Sequence, residues 1–240
     1  MASTKLPTHI FHQFDKELED IRTKVLSMGG LVEEHLAHVL DALSHGNAAL
    51  AETIAQSDYK VNAFEVDIDE ECTEILARRN PAAGDLRLVL AVTKIITDLE
   101  RVGDEAEKIA RIVASLIANE NPRSYYIGVL AMGHHVRRML HDALDAFARM
   151  DADAALAIAK EDREVDREQD ATLRQLITYM MEDPRSITRV LNVILAVRAM
   201  ERIGDHARNI CEDVIYLVIG KDIRHISLED AEKELRGIER

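Results

Sequence analysis

Two short runs carry most of the chemistry available in this sequence: Glu100-Arg101-Val102-Gly103-Asp104 and Glu201-Arg202-Ile203-Gly204-Asp205. Residues four apart on a helix share one face, about 6 Å from each other. Each run therefore sets two carboxylates side by side with no cation between them. Glycine inside a helix costs about 1 kcal/mol relative to alanine, yet Gly103 and Gly204 interrupt both runs. A second acidic stripe precedes each: Asp58, Asn62, Glu65 and Asp69 before the first, and Asp162, Asp166 and Asp170 before the second. If the helices bearing these stripes lie side by side, Asp58, Asn62, Glu100 and Asp104 converge in one place and Asp162, Asp166, Glu201 and Asp205 in another. Such oxygen sets suit a divalent or trivalent metal ion, and Fe, Zn, Mn, Mg and Ca all accept them. The competing reading is that these acids are solvated or pair with Arg101, Arg202, Lys60 and Arg163, the glycines only letting helices approach closely.

The elements that must position these residues are helices. Apolar residues recur at three and four, as in Leu36, Val39, Leu40 and Leu43 or Leu173, Leu176, Ile177 and Met180, which is the signature of an amphipathic helix. Breaks at Gly46-Asn47, Asn80-Pro81, 119–123, Met150-Asp151 and Asp183-Pro184 divide the chain into six long segments. A capping side chain before a proline, as at Asn80-Pro81 and Asp183-Pro184, predicts a helix start. Met28-Gly29, Leu36, Leu40-Asp41-Ala42, Ile54-Ala55, Asp58 and Val61 recur 104 positions later, and residues 99–106 are echoed 101 positions later by 200–207. The shift changes only near a turn, as expected when loops drift and packed helices do not. The prediction is an all-α protein of two tandem homologous three-helix bundles, elongated because segments of about 30 to 35 residues make rods near 50 Å long. The boundaries fall at 1–119 and 120–220, leaving a charged tail, 221–240, in which Ser227 and Asp230 mark a short helix.

Composition excludes several function classes. The formal net charge is −14 and aromatic residues make up 4% of the chain with no Trp, which disfavours both a phosphate backbone as ligand and base stacking. No apolar run approaches the roughly 20 residues that span a bilayer, so membrane association would go through a partner. Residues 1–20 carry no apolar stretch of the kind a signal peptidase uses. Cys72 and Cys211 read as small buried apolar residues in a reducing compartment. Loops of the kinds Gly-x-Ser-x-Gly, Gly-x-x-x-x-Gly-Lys and Gly-x-Gly-x-x-Gly do not occur, which leaves acyl transfer and nucleotide chemistry without their usual motifs. A carboxylate-type, metal-dependent oxidase or hydrolase is the alternative, weakened because no histidine follows a glutamate in the Glu-x-x-His spacing. Arg101, Arg202, Asp85 and Arg87 read as braces between helices. His206 reads as a surface residue with an outside claim to a metal, and His35, His38, His134 and His135 as surface.

With Glu-Arg-(Val/Ile)-Gly-Asp present twice, Met28-Gly29-Gly30 on the first helix and Asp85-Leu86-Arg87 before the third, the sequence resembles the PhoU family of phosphate-signalling regulators over nearly its whole length. Residues 175–183 and 147–151 resemble the proteobacterial branch. The resemblance implies two homologous three-helix bundles, a homodimer and no enzymatic activity. It places the family's metal-linked acidic motifs on Glu100 with Asp104, Glu201 with Asp205, and Asp162 with Asp166, departing at Asn62, which stands opposite Asp166. It further implies a cytoplasmic adaptor, peripheral to the inner membrane, between the ATPase subunit of a phosphate ABC transporter and the cytoplasmic domain of a sensor histidine kinase. Such an adaptor restrains uptake and holds the phosphate-starvation response off.

Overall fold

The computed structural model describes residues 12–119, 122–224 and 226–238. Of residues 1–20, in which no signal-peptidase stretch is expected, 1–11 lie outside the described residues, as do 120 and 121 where the repeats join. Nine helices account for most of the described residues, and no strand is found among them. The first repeat comprises α1 (His12–His45), α2 (Ala48–Ile54), α3 (Tyr59–Arg79) and α4 (Ala83–Ala118). The second comprises α5 (Ile127–Arg149), α6 (Ala152–Ala159), α7 (Asp162–Glu182) and α8 (Ile187–Ile219), and α9 (Leu228–Ile238) follows. At about 1.5 Å per residue α4 and α8 are rods of about 50 Å, which set the long axis of an elongated bundle.

Equivalent caps show how the duplication repeats local structure. Asn47 and Asp151, 104 positions apart, each start a short helix by accepting a backbone N–H three residues on, at 3.1 and 2.9 Å. Just before them the chain takes the left-handed conformation, at Gly46 (φ 73°) and Met150 (φ 51°); glycine does this freely and methionine at a cost. The middle segment of each bundle is not one rod, as periodicity predicts, but a short helix and a longer one separated by a turn. In the first repeat the Ser57 hydroxyl donates to the Ile54 carbonyl at 2.8 Å within this turn, and in the second the turn forms with Glu161 at the corresponding position. Asp183 caps a 3-10 turn at Pro184–Ser186 as expected, accepting from the Arg185 N–H at 3.1 Å. Asn80 does not start a helix. It ends α3 in the left-handed region with φ 46°, and α4 begins at Ala83 without a side-chain cap. In the tail, Ser227 and Asp230 form the expected capping pair of α9, with Asp230 N–H donating to Ser227 Oγ at 3.1 Å.

The repeats share one continuous apolar core. α1 and α5 cross with reciprocal contacts: a Cβ on Gly29 would lie 2.6 Å from Leu144, and one on Gly133 would collide with Leu40. These four positions are related by the same shift of 104, so the crossing has an approximate two-fold symmetry. α4 and α8 form the second seam, laced by Lys94–Asp213 at 3.0 Å, Asp98–His206 at 2.8 Å and Glu105–Arg202 at 2.6 Å. Arg202 thus braces a neighbouring helix, as does Arg87, whose Nε donates to the Leu217 carbonyl at 3.4 Å. His206 is not at the surface: it is buried in this seam. His35 is also buried and meets the Ser57 hydroxyl at 3.2 Å, while His135, mostly buried, lies between Glu161 and Glu168. Both cysteines are buried, and burial pushes the Cys72 thiol up to about 12.

Candidate metal centre

The turn before α3 swings Asp58 toward the middle of α4. Asp58 occupies the cap position of α3, yet its side chain makes no cap hydrogen bond. It turns instead onto α4 at Gly103, where an added Cβ would lie 3.0 Å from Asp58 Oδ1 and 3.1 Å from Val61. The glycine therefore does provide close helix approach, and that approach is what places the carboxylate. One turn on, Asn62 Nδ2 donates to Asp58 Oδ2 at 2.9 Å, which makes Asn62 an orienting group for the aspartate. Asp58 is 9% exposed, and its other oxygen, Oδ1, is buried with no hydrogen-bond partner.

Three carboxylates meet at this point. Oxygens of Asp58, Asp104 and Glu107 all lie within 4.8 Å of one another. Burial, then the charges of Asp104, Glu65 and Asp58, raise the Glu100 carboxyl above its usual range. Burial and Asp104 do the same for Asp58, and burial and Glu107 for Asp104. Each of these groups holds its proton more tightly than in water because ionisation would add a charge to a crowded, partly desolvated site. A buried acceptor without a donor costs on the order of 1–3 kcal/mol, and a bound cation relieves that cost together with the repulsion. The donor set is all oxygen, which fits Mg, Mn, Ca or Fe better than sites built on nitrogen and sulfur. Glu107 escapes the motif-based reading because the pattern ends at Asp104. Its signal is the spacing itself, since Glu100, Asp104 and Glu107 occupy one face of α4 at i, i+4 and i+7.

The second repeat brings its predicted residues together differently. Asp162, Asp166, Glu201 and Asp205 share one field: burial, then Asp205, Asp166 and Asp162, raise the Glu201 carboxyl, and burial and Asp162 raise that of Asp205. Asp162, however, accepts a hydrogen bond from Arg208 Nη1 at 2.9 Å. Arg208 Nε also donates to Glu212 at 3.0 Å. A guanidinium thus neutralises the aspartate that corresponds to Asp58.

A family model described as the PhoU domain matches the chain twice, at residues 25–113 and 129–214, one match in each repeat. A protein of Pseudomonas aeruginosa named phosphate-specific transport system accessory protein PhoU homolog is 53% identical, over 97% of this chain and 96% of its own length. The Escherichia coli K12 protein named phosphate-specific transport system accessory protein PhoU is 45% identical, over 99% of this chain and 98% of its own length. Among solved structures, the crystal structure of PhoU from Pseudomonas aeruginosa superposes with a TM-score of 0.84 at 53% identity, covering 87% of this chain and 100% of that one. The PhoU regulatory protein of Streptococcus pneumoniae gives 0.80 at 32% identity, over 88% of this chain and 99% of that one. Likeness that runs over nearly the whole chain in sequence and over most of it in backbone, with one domain match falling on each four-helix repeat, makes this chain a member of the PhoU family.

Proposed function

We propose that the chain is an accessory regulator of phosphate uptake that acts by binding other proteins and a metal ion, without catalysis. When phosphate is plentiful it restrains the high-affinity phosphate ABC transporter and holds the phosphate-starvation response off. In doing so it bridges the transporter's ATPase subunit and the cytoplasmic domain of a sensor histidine kinase. The observation that carries this reading is the likeness over nearly the whole chain, at 53% identity, to a phosphate-specific transport accessory protein. The working units on this reading are 1–119 and 120–220 with the tail 221–240, in a cytoplasmic protein that forms a dimer. No described helix is long and apolar enough to cross a membrane, so contact with the inner membrane would be through partners. Long acidic helical faces suit docking on basic surfaces, where charge complementarity speeds encounter.

The metal reading is supported by the Asp58, Asp104 and Glu107 trio and by the unpartnered Asp58 oxygen. Asp58, Glu100, Asp104 and Glu107 would hold the ion in the first repeat, which would supply charge neutralisation and a fixed relation between α3 and α4. The predicted residues of the second repeat, Asp162, Asp166, Glu201 and Asp205, carry the same kind of donor. The experiment is a deletion strain with a phosphate-starvation reporter in phosphate-rich medium. The reporter should switch on, and return to repression when the wild-type gene is restored. A deletion strain that stays repressed overturns the regulatory reading. An E100A/D104A variant that retains wild-type metal content overturns the metal part alone.

A further inference from the structure

The two acidic sites are duplicated in position and reversed in one charge. With the shift of 101, Glu107 corresponds to Arg208 and Arg111 corresponds to Glu212. Both form an ion pair one turn apart, Glu107 with Arg111 in α4 and Arg208 with Glu212 in α8. The pair is kept and its polarity inverted, so that the member facing the site is an acid in the first repeat and a guanidinium in the second. Glu65 is likewise replaced by Gln169. The first site therefore holds Asp58, Glu65, Glu100, Asp104 and Glu107, and its nearest cation, Arg111, is bonded to Glu107 and leaves Asp58 without an ion pair. The second holds Asp162, Asp166, Glu201 and Asp205 with Arg208 bonded at 2.9 Å to Asp162.

Resting on the metal reading above, we propose that Arg208 is the resident cation of the second repeat and that this chain loads metal through the first repeat alone. Three observations converge on it. Asp58 Oδ1 is buried and unpartnered, whereas the carboxylate of Asp162 is occupied by Arg208. The Asp58, Asp104 and Glu107 trio is the one close group of potential ligands among the described residues. The guanidinium cannot lose its proton near neutral pH, so no change of protonation clears the second site. An incoming cation there would have to displace a charged hydrogen bond and then sit beside a fixed positive charge.

The test uses the full chain, stripped with chelator and equilibrated with Mn²⁺, with bound metal read by elemental analysis and by calorimetric titration. Expected is a wild-type stoichiometry that E201Q/D205N leaves unchanged and D58N/D104N abolishes. R208E/E212R, which gives the second repeat the polarity of the first, should double it, and R208Q should raise it if the double variant does not fold. A fall of half or more in E201Q/D205N shows that the second repeat is loaded and overturns the proposal while leaving the metal reading intact. A wild type that binds no Mn²⁺, or metal content in D58N/D104N equal to wild type, overturns the assignment of metal to the first repeat itself.

Discussion

Replacing Asp58 and Asp162 in turn by asparagine makes the same chemical change at homologous positions, and in metal-free buffer the two should shift stability in opposite directions. Asp58 has acceptor oxygens within 4.8 Å of those of Asp104 and Glu107. Even at the dielectric constant of water, two unit charges at that distance repel by about 0.9 kcal/mol, and salt at 0.15 M reduces this to about half. Asp58→Asn removes two such terms, a gain of about 1 kcal/mol, while keeping a carbonyl oxygen for Asn62. Asp162→Asn removes the charge that Arg208 bonds at 2.9 Å, and a hydrogen bond to a charged group is worth about 1.5–3 kcal/mol. With an unfolding entropy of about 2.1 cal/mol/K per residue over 240 residues, each kcal/mol moves Tm by about 2 °C. Asp58→Asn should then melt about 2 °C higher than wild type in chelator, and Asp162→Asn about 3–6 °C lower.

Differential scanning calorimetry in chelator and in saturating Mn²⁺ reads both effects. A ligand at 100 times its Kd stabilises by about 2.7 kcal/mol, so wild type should gain about 5 °C on loading and Asp58→Asn should gain almost nothing. The order of the two proteins therefore reverses when metal is added. If both substitutions lower Tm in chelator, Asp58 is not an uncompensated charge, and the electrostatic basis of the metal centre is refuted.

Three further measurements probe separate parts of the structure. Mn²⁺ affinity should fall as pH drops below neutral, because burial and mutual repulsion hold the carboxyls of Asp58, Glu100 and Asp104 above their usual values and protons compete for the same oxygens; a pH-independent titration would contradict this. Burial pushes Asp213 up to about 6 beside Lys94, so its folded form binds a proton more tightly than its unfolded form, and wild type should lose stability relative to Asp213→Asn as pH rises from about 4 through 6. In urea denaturation at fixed pH, Gly133→Ala should cost about 1–3 kcal/mol by driving a methyl into Leu40, and in the Leu40→Ala background it should cost less than on its own; equal costs in both backgrounds would show that the two helices part freely at this crossing.

Much of this architecture is legible because duplication writes each structural constraint twice. The recurrence of Met28-Gly29 at Met132-Gly133 marks the crossing where each glycine receives the other repeat's leucine. The turns inside the middle segments are not legible in the same way: neither 55–58 nor 160–161 contains proline or glycine, the residues that punctuate a helical pattern most strongly. Asp58 and Asp104 are identifiable from spacing, but which oxygen becomes buried depends on how closely Gly103 lets α3 approach. His206 illustrates the limit from the other side, since it replaces Glu105 in the second copy and only the antiparallel pairing of α4 with α8 shows that both residues serve the same seam, one bonding Arg202 and the other Asp98.

The reversed ion pair explains how two such similar sites can differ in what they hold. An exposed i, i+4 pair contributes about 0.3–0.5 kcal/mol whichever member comes first, with a slight preference for the acid nearer the N-terminus. That preference makes the exposed Glu107-Arg111 arrangement slightly the better helix pair, while in the second repeat Glu212 is buried against Arg208 and the Arg208–Asp162 hydrogen bond adds about 1.5–3 kcal/mol. The field at the site changes as well, because a charge of one sign facing a carboxylate cluster is replaced by its opposite at hydrogen-bond range. The exchange thus gives the second repeat an internal charged hydrogen bond where the first keeps an open carboxylate. The seams that join the repeats, α1 with α5 and α4 with α8, constrain side chains on the inner faces, whereas Asp104 is exposed, Glu107 and Arg208 are half-buried, and of this set only Asp58, Asp162 and Glu212 are buried. One copy could lose its ion-binding charge pattern without disturbing the packing that both copies share.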